Sequence, residues 1–268
     1  MKINVSAGRM RIAVLGATGV AGRAFVPRAE AKGHSLVVRR VDILDAESLV
    51  TLVGGCEAVV NLATSIPRVG GRGDWALNDR IRREGTRNLL TACARADVRM
   101  VIQQSVAMLH CVSDDREQNE DDPTLGYGVL ASAADMEALI RAADLDGRIV
   151  RGGLFYGADT GQPEQWRSEV RDPTFRIPGD GTAWVSPVHV DDFAEALLAV
   201  IEGGAARGTY IACDDEPLRL RDLYDGIAAR AEVPRPRSGG LVRLRSFRVT
   251  NARLRGLGWR PRHHARED

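Results

Sequence analysis

Between Arg11 and Gly22 the chain reads RIAVLGATGVAG, an apolar run that breaks into Gly16, Gly19 and Gly22 at spacings of three. A strand that ends in such a loop and opens directly into a helix leaves few architectures available. The first glycine permits a tight turn, the second lets backbone approach a ligand, and the third lets helix and strand pack closely. The unpaired N–H groups at the start of the helix then form a site for a diphosphate. A merely structural tight turn would need fewer of these coincidences.

The rest of the chain fits the same plan. Short, charge-poor runs at Ile12–Leu15, Leu36–Val41, Ala58–Leu62, Met100–Gln103 and Arg148–Val150 suit strands buried on both faces. Helical patterns fall between them at Val20–Lys32, Glu47–Val53, Asp79–Arg95 and Leu130–Ala143. Alternation of this kind predicts an α/β fold, a Rossmann-type doubly wound parallel sheet with right-handed crossovers. Pro27 is expected to kink the first helix or end its regular part early. The second half is less regular. Residues 158–183 read as loops over a cleft, VDDFAEALLAVIE as a helix, Thr209–Ala212 as a strand and Leu220–Ala231 as a helix, with a disordered tail RHHARED. The domain reading is therefore 1–157 for the Rossmann unit and 158–268 mainly for a small C-terminal substrate lobe. Segments near 184–212 are expected to return to the sheet.

Composition narrows the function. A formal net charge of +1 gives no global field for nucleic acid or an anionic membrane. No run is long and apolar enough for a membrane span, and the first residues carry no secretory pattern, so a cytoplasmic protein is expected. The four scattered cysteines read as reduced thiols, and no His, Asp and Glu set has metal-ligand spacing. Only Lys2 and Lys32 are lysines, which matters below.

Several segments together resemble the extended short-chain dehydrogenase/reductases of the NAD-dependent epimerase/dehydratase type. These are GATGVAG, VDILDAESL, EAVVNLAT, EGTRNLLTACARADVRMVIQQSV, WVSPVHVDDFAEALLAVIE and RVTNARLRGLGWRP. The resemblance implies a bound NADP or NAD, held by Gly16, Thr18, Gly19, Val20 and Gly22 at the phosphates. Asp42 and Ile43 would lie at the adenine, with Leu62, Ala63 and Thr64 lining the next strand end. Arg39 and Arg40 fall where a 2′-phosphate would lie, which favours NADP. Asp42 on the ribose diol would favour NAD instead, and both arginines could equally be solvated strand-end charges. The stretch from Gly33 to Asp42 is short for the family, so one strand is lost there or two have merged.

By the same resemblance Ser105 would orient a substrate oxygen and Tyr127 would exchange its proton. The lysine four residues beyond that tyrosine is replaced by Ala131. Shifting the register places Val129 at the tyrosine and Ala133 at the lysine, so the lysine is absent either way. A tyrosine without a neighbouring cation keeps a pKa near ~10 and is a poor base for alcohol oxidation. It can still donate to a carbonyl. Arg82 stands where the family has an asparagine, Gly152 replaces a proline, and Leu109 and His110 replace a Tyr-Gly pair. His110 is a candidate acid or base, while His189 reads as architectural.

The expected activity is an NAD(P)-dependent oxidoreductase or epimerase-like enzyme on a small carbonyl or hydroxyl compound, of the kind found in specialised metabolism. A non-redox isomerase, cyclase or dehydratase and a non-catalytic NAD(P)-sensing protein are the alternatives. The partners are a small-molecule substrate and, at most, a second copy of the chain as a homodimer.

Overall fold

A computed structural model describes residues 8–67, 74–111, 115–242 and 245–266. Its centre is a six-stranded, wholly parallel sheet. The strands of the first half are β1 (Arg11–Leu15), β2 (Ser35–Val37), β3 (Ala58–Asn61), β4 (Met100–Val106) and β5 (Asp146–Gly152). The short strands β6 (Leu154–Tyr156), β7 (Arg176–Pro178), β8 (Trp184–Val185) and β9 (Pro187–His189) come next. Then β10 (Gly208–Ala212), β11 (Leu218–Arg219) and β12 (Arg237–Gly240) complete the set. The spatial order β10-β5-β4-β3-β1-β2 places the reversal of direction beside β1, where such sheets open a ligand crevice.

Helices cover both faces. α1 (Val20–Ala31), α2 (Ala46–Val53), α3 (Trp75–Arg80), α4 (Thr86–Arg95) and α5 (Ala131–Ala142) belong to the first half. α6 (Gln162–Arg171), α7 (Val190–Glu202), α8 (Leu220–Arg230) and α9 (Ala252–Gly256) follow. Because side chains alternate along a strand, Ile12, Val14, Val60, Ile102 and Val150 face α1 and α7, where they meet Phe25, Phe193 and Leu197. Ala13, Leu15, Val59, Val101 and Ile149 face the other way, onto Leu49, Leu89, Cys93 and Ile140 of α2, α4 and α5. A separate core of Tyr156, Trp166, Ile177, Leu223, Tyr224 and Phe247 holds the C-terminal lobe. After α7, β10 pairs along β5 at the edge of the sheet.

Four expectations change. The second strand stops at Val37, since it is an edge strand paired to β1 over three residues, and Val38, Arg39 and Arg40 are exposed beyond it. α2 follows directly, so among the described residues no further strand lies outside β2. The helix expected over Asp79–Arg95 begins at Trp75 and is interrupted by a π-helical turn, Ile81–Gly85, before α4. Pro27 lies inside α1 without ending it, and the helix runs on to Ala31. Residues 158–183 hold α6, which buries Trp166 and Val170.

The tail also differs from the expectation. Residues 262–266 are docked rather than loose, because the N–H groups of Arg262 and His263 donate to the buried Asp192 carboxylate at 3.0 and 2.9 Å. The last two residues lie outside the described set. No helix among the described residues is long and apolar enough to cross a membrane.

Candidate functional site

The glycine loop separates into two structural positions and one open one. Gly16 has φ +74°, and a β-carbon there would lie 2.6 Å from the Leu62 carbonyl carbon, so β3 crosses directly against the loop. Gly22 is equally constrained, its β-carbon falling 2.3 Å from the Gly16 oxygen. Gly19 meets only that same oxygen, at 3.1 Å, and serves as the N-cap of α1 with no side chain capping the helix. The N–H groups of Val20, Ala21 and Gly22 therefore start the helix without intrahelical partners. Thr18 completes the turn, its carbonyl accepting from Arg23 Nη1 at 2.7 Å. This cradle fits a diphosphate, with donors, a positive helix end and room where a side chain would otherwise stand.

The other candidate cofactor residues follow the ends of β2 and β3. Leu62 is buried and its N–H joins Leu15, the Ala63 N–H donates to Asn61 Oδ1 at 3.2 Å, and Thr64 is exposed. Arg39 and Arg40 are solvent-facing, and neither makes an ion pair among the described residues. The Asp42 carboxylate accepts from the Leu44 N–H at 2.9 Å and so shapes the turn into α2, beside the buried Ile43.

Around Ser105 the polar groups form one buried chain. The Ser105 hydroxyl donates to Glu137 Oε1 at 2.6 Å. Glu137 takes a bidentate grip from Arg151, Nε to Oε1 at 2.9 Å and Nη2 to Oε2 at 2.6 Å, and a further contact from Arg141. Arg151 Nη1 lies 2.7 Å from His110 Nε2, and His110 Nδ1 lies 3.1 Å from Gln118 Oε1. A guanidinium can only donate, so Nε2 is the acceptor and the ring proton sits on Nδ1, directed at Gln118.

Burial pushes the Glu137 carboxyl up, yet the hydrogen bonds and charge of Arg151 outweigh it and hold the pKa below the usual carboxylate range. Burial and the Arg151 charge lower His110 to about 4, so the ring is neutral at pH 7. Charge-assisted, doubly bonded and dry, this network fixes β4 to β5 and α5. The single proton of Ser105 is committed to Glu137, and His110 has no free nitrogen for proton exchange.

The start of α5 is apolar where the resemblance asks for a tyrosine and a lysine. Val129 is 49% exposed, Ala131 is partly buried, and Ala133 is buried against Val106 and Leu109. Tyr127 is 39% exposed, its ring lying 4.6 Å below the guanidinium carbon of Arg245. Instead a cation arrives from the π-helical turn. Arg82, 4% exposed, donates through Nη1 to Ser132 Oγ at 3.3 Å and to the Val129 carbonyl at 3.5 Å.

Glu137 and Arg151 had a visible signature that composition alone obscures: a carboxylate on the apolar face of α5 and an arginine inside the strand RIVRG. Buried charges at such positions are paired. His189 caps α7 by accepting from the Asp191 N–H at 3.2 Å and stacks on His263 at 3.7 Å. Asp191 lies beside them, but parallel rings that close cannot aim their in-plane lone pairs at one ion.

The sequence pattern of the NAD dependent epimerase/dehydratase family matches residues 12–213. This chain belongs to that family. It is an enzyme of the oxidoreductase or epimerase type found there. A Streptomyces protein named 3-diazoavenalumate denitrifying reductase is 31% identical, the alignment covering 97% of this chain and 98% of that one. A dTDP-4-dehydrorhamnose reductase of Mycolicibacterium smegmatis is 26% identical over 84% of this chain and 72% of its own. Among solved structures, DesIV, a dTDP-glucose 4,6-dehydratase from Streptomyces venezuelae with NAD and TYD bound, superposes with a TM-score of 0.80. It shares 22% identity and covers 95% of this chain and 93% of its own.

Proposed function

We propose that the protein is an NAD(P)H-dependent reductase whose substrate accepts hydride without needing a strong acid beside it. The observation that carries this reading is the start of α5, where Val129 and Ala133 stand in one register and Tyr127 and Ala131 in the other, with no lysine in either. The glycine cradle would hold the dinucleotide phosphates through the N–H groups of the first turn of α1. A nicotinamide bound there would supply hydride to the crevice at the ends of β3 and β4. Arg39 and Arg40 favour NADP over NAD, because they follow the end of β2 with no carboxylate paired to them among the described residues.

Reducing a ketone creates an alkoxide that must be protonated, and a tyrosine–lysine pair serves that purpose. Here the Ser105 proton is held by Glu137, and the Tyr127 hydroxyl has no lysine beside it in sequence to assist donation to a ketone oxygen. A diazonium-type carbon is different. It takes up hydride, its bond to nitrogen breaks, dinitrogen carries away the electron pair, and no oxygen is protonated. The relative named for denitrifying reduction of a diazo compound supports this class. The second reading, reduction of a small carbonyl such as a dehydro-sugar, rests on the dTDP-4-dehydrorhamnose reductase relative. It would use Tyr127 as donor and Ser105 to position the oxygen, after Ser105 had turned from Glu137.

One experiment separates the two. Purified protein with NADPH or NADH deuterated at the transferring position is offered aryl diazonium salts and a ketone panel. Cofactor oxidation, gas release and product mass are followed. Deuterium in place of the diazo group, with dinitrogen released and rates unchanged in Tyr127→Phe, is the expected result. Turnover of ketones alone, lost in Tyr127→Phe, would replace it with the carbonyl reading.

A further inference from the structure

Arg82 is nine-tenths buried, yet among the described residues no carboxylate comes within ion-pair distance of it. Its two partners are a hydroxyl and a carbonyl, both reached through Nη1. Burial therefore depresses its pKa, with only the more distant charges of Asp79 and Glu137 favouring the cation. Glu137 is already matched by Arg151 and Arg141, and Asp79 by Arg83. A buried guanidinium left in this state is expensive unless a ligand completes it.

A second group points to the same place. Asn78 lies one turn before Arg82 and is fully buried. Its Oδ1 accepts from the Ser65 N–H on the loop after β3, while its Nδ2 has no partner among the described residues. Asn78 and Arg82 stand four residues apart along the α3–π-turn segment, Asn78 bonded to the loop that follows β3 and Arg82 to the start of α5. Apolar side chains are exposed on the same elements: Trp75 at 41% and Leu77 on α3, and Val129 just before α5. A buried cation and an unpartnered amide on elements that also expose apolar side chains match a carboxylate carried on an apolar body.

We propose that Asn78 and Arg82 form the carboxylate subsite of the substrate pocket. The assignment rests on the reductase reading for the pocket's purpose and adds the substrate's anionic group to it. It also accounts for an arginine on this turn: the cation that α5 lacks is supplied from α3–α4 and directed at substrate charge rather than at a tyrosine.

The test uses cinnamate as an unreactive probe, with cinnamamide as its neutral match. Each is titrated by calorimetry into the full-length protein saturated with NADP. Wild type should bind the acid at least tenfold more tightly than the amide. Arg82→Gln should erase that preference, Arg82→Lys should keep part of it, and Asn78→Ala should weaken it. Melting temperatures confirm that each variant is folded, and should Arg82→Gln not fold, Arg82→Lys and Asn78→Ala decide. Equal affinity for acid and amide in wild type, no binding of either, or a preference that survives Arg82→Gln would overturn the assignment. Deuteride transfer and cofactor binding, measured on the same samples, report on the reductase reading separately. An acid preference with no hydride transfer would leave the subsite standing and remove the reductase.

Discussion

At Gly16 a β-carbon would press on the backbone of Leu62, and φ is +74°, so alanine there is penalised by both sterics and backbone strain. Gly16→Ala should cost roughly 2–4 kcal/mol of stability and lower the melting temperature whether or not cofactor is present. Gly19 should behave in the opposite way. Its extended φ of −73° and ψ of 174° suit an N-cap, and no side chain now caps α1. Aspartate is a preferred N-cap residue, which offsets the tight 3.1 Å approach of its β-carbon to the Gly16 oxygen, so Gly19→Asp should leave the unliganded protein close to wild type in stability. The same carboxylate would fill the anion cradle and repel a diphosphate. Loss of nicotinamide binding with a nearly unchanged melting temperature is the expected pair of results. A parallel fall in both would mean that Gly19, like its two neighbours, serves packing alone.

Among the elements, α5 shows best how sequence and structure diverge. Its existence, and that of the sheet it covers, follows from periodicity, because apolar residues repeat where burial demands them. The turn at the glycine loop was equally legible, since its spacing is a local pattern, although the close approach of Leu62 to Gly16 is not. What escaped is the content of the buried polar chain. Glu137 and Arg151 lie well beyond Ser105 and His110 in sequence, and the four become one network only when β4, β5 and α5 assemble. Reading Ser105 by itself invites a catalytic role, whereas in place its proton belongs to Glu137. The π-turn at Ile81–Gly85 escaped for a related reason, since no local signal distinguishes it from helix and its use is to turn Arg82 inward. Glu137→Gln should leave Arg151 buried without its counter-charge and cost about 3–5 kcal/mol in urea unfolding. Ser105→Ala removes one hydrogen bond and should cost about 1–2 kcal/mol. If the glutamine variant were as stable as wild type, the network would be incidental to the fold.

Across the whole molecule, the two cores are tied together by the returning C-terminus. The tail meets Asp192 at the start of α7 and Asp214 just after β10, where Asp214 Oδ2 accepts from the Ala265 N–H at 3.1 Å and from the Tyr156 hydroxyl at 3.0 Å. Burial raises Asp214 to about 7, against the opposing pull of those two donors and with help from the Asp192 and Asp215 charges. Between its ordinary 3.8 and that value the folded protein holds a proton that the unfolded chain has released. Its stabilising contribution is therefore complete below about 3.8 and lost as pH rises through about 7. His110 runs the other way. Depressed from 6.5 to about 4, it makes the unfolded chain the better proton binder in that window, so stability rises with pH across it. The two slopes oppose each other over most of the acidic range, and the wild-type profile conceals both. Asp214→Asn removes one slope while keeping an oxygen for Tyr156 and Ala265. Relative to wild type, the variant should gain stability steadily from pH 5 to pH 7.5, on the order of 2–4 kcal/mol at ~1.4 kcal/mol per pKa unit. Chemical unfolding at several pH values reads this directly. A constant difference would mean that Asp214 is ionised in the folded protein, and that the tail is held by a charged carboxylate rather than a neutral one.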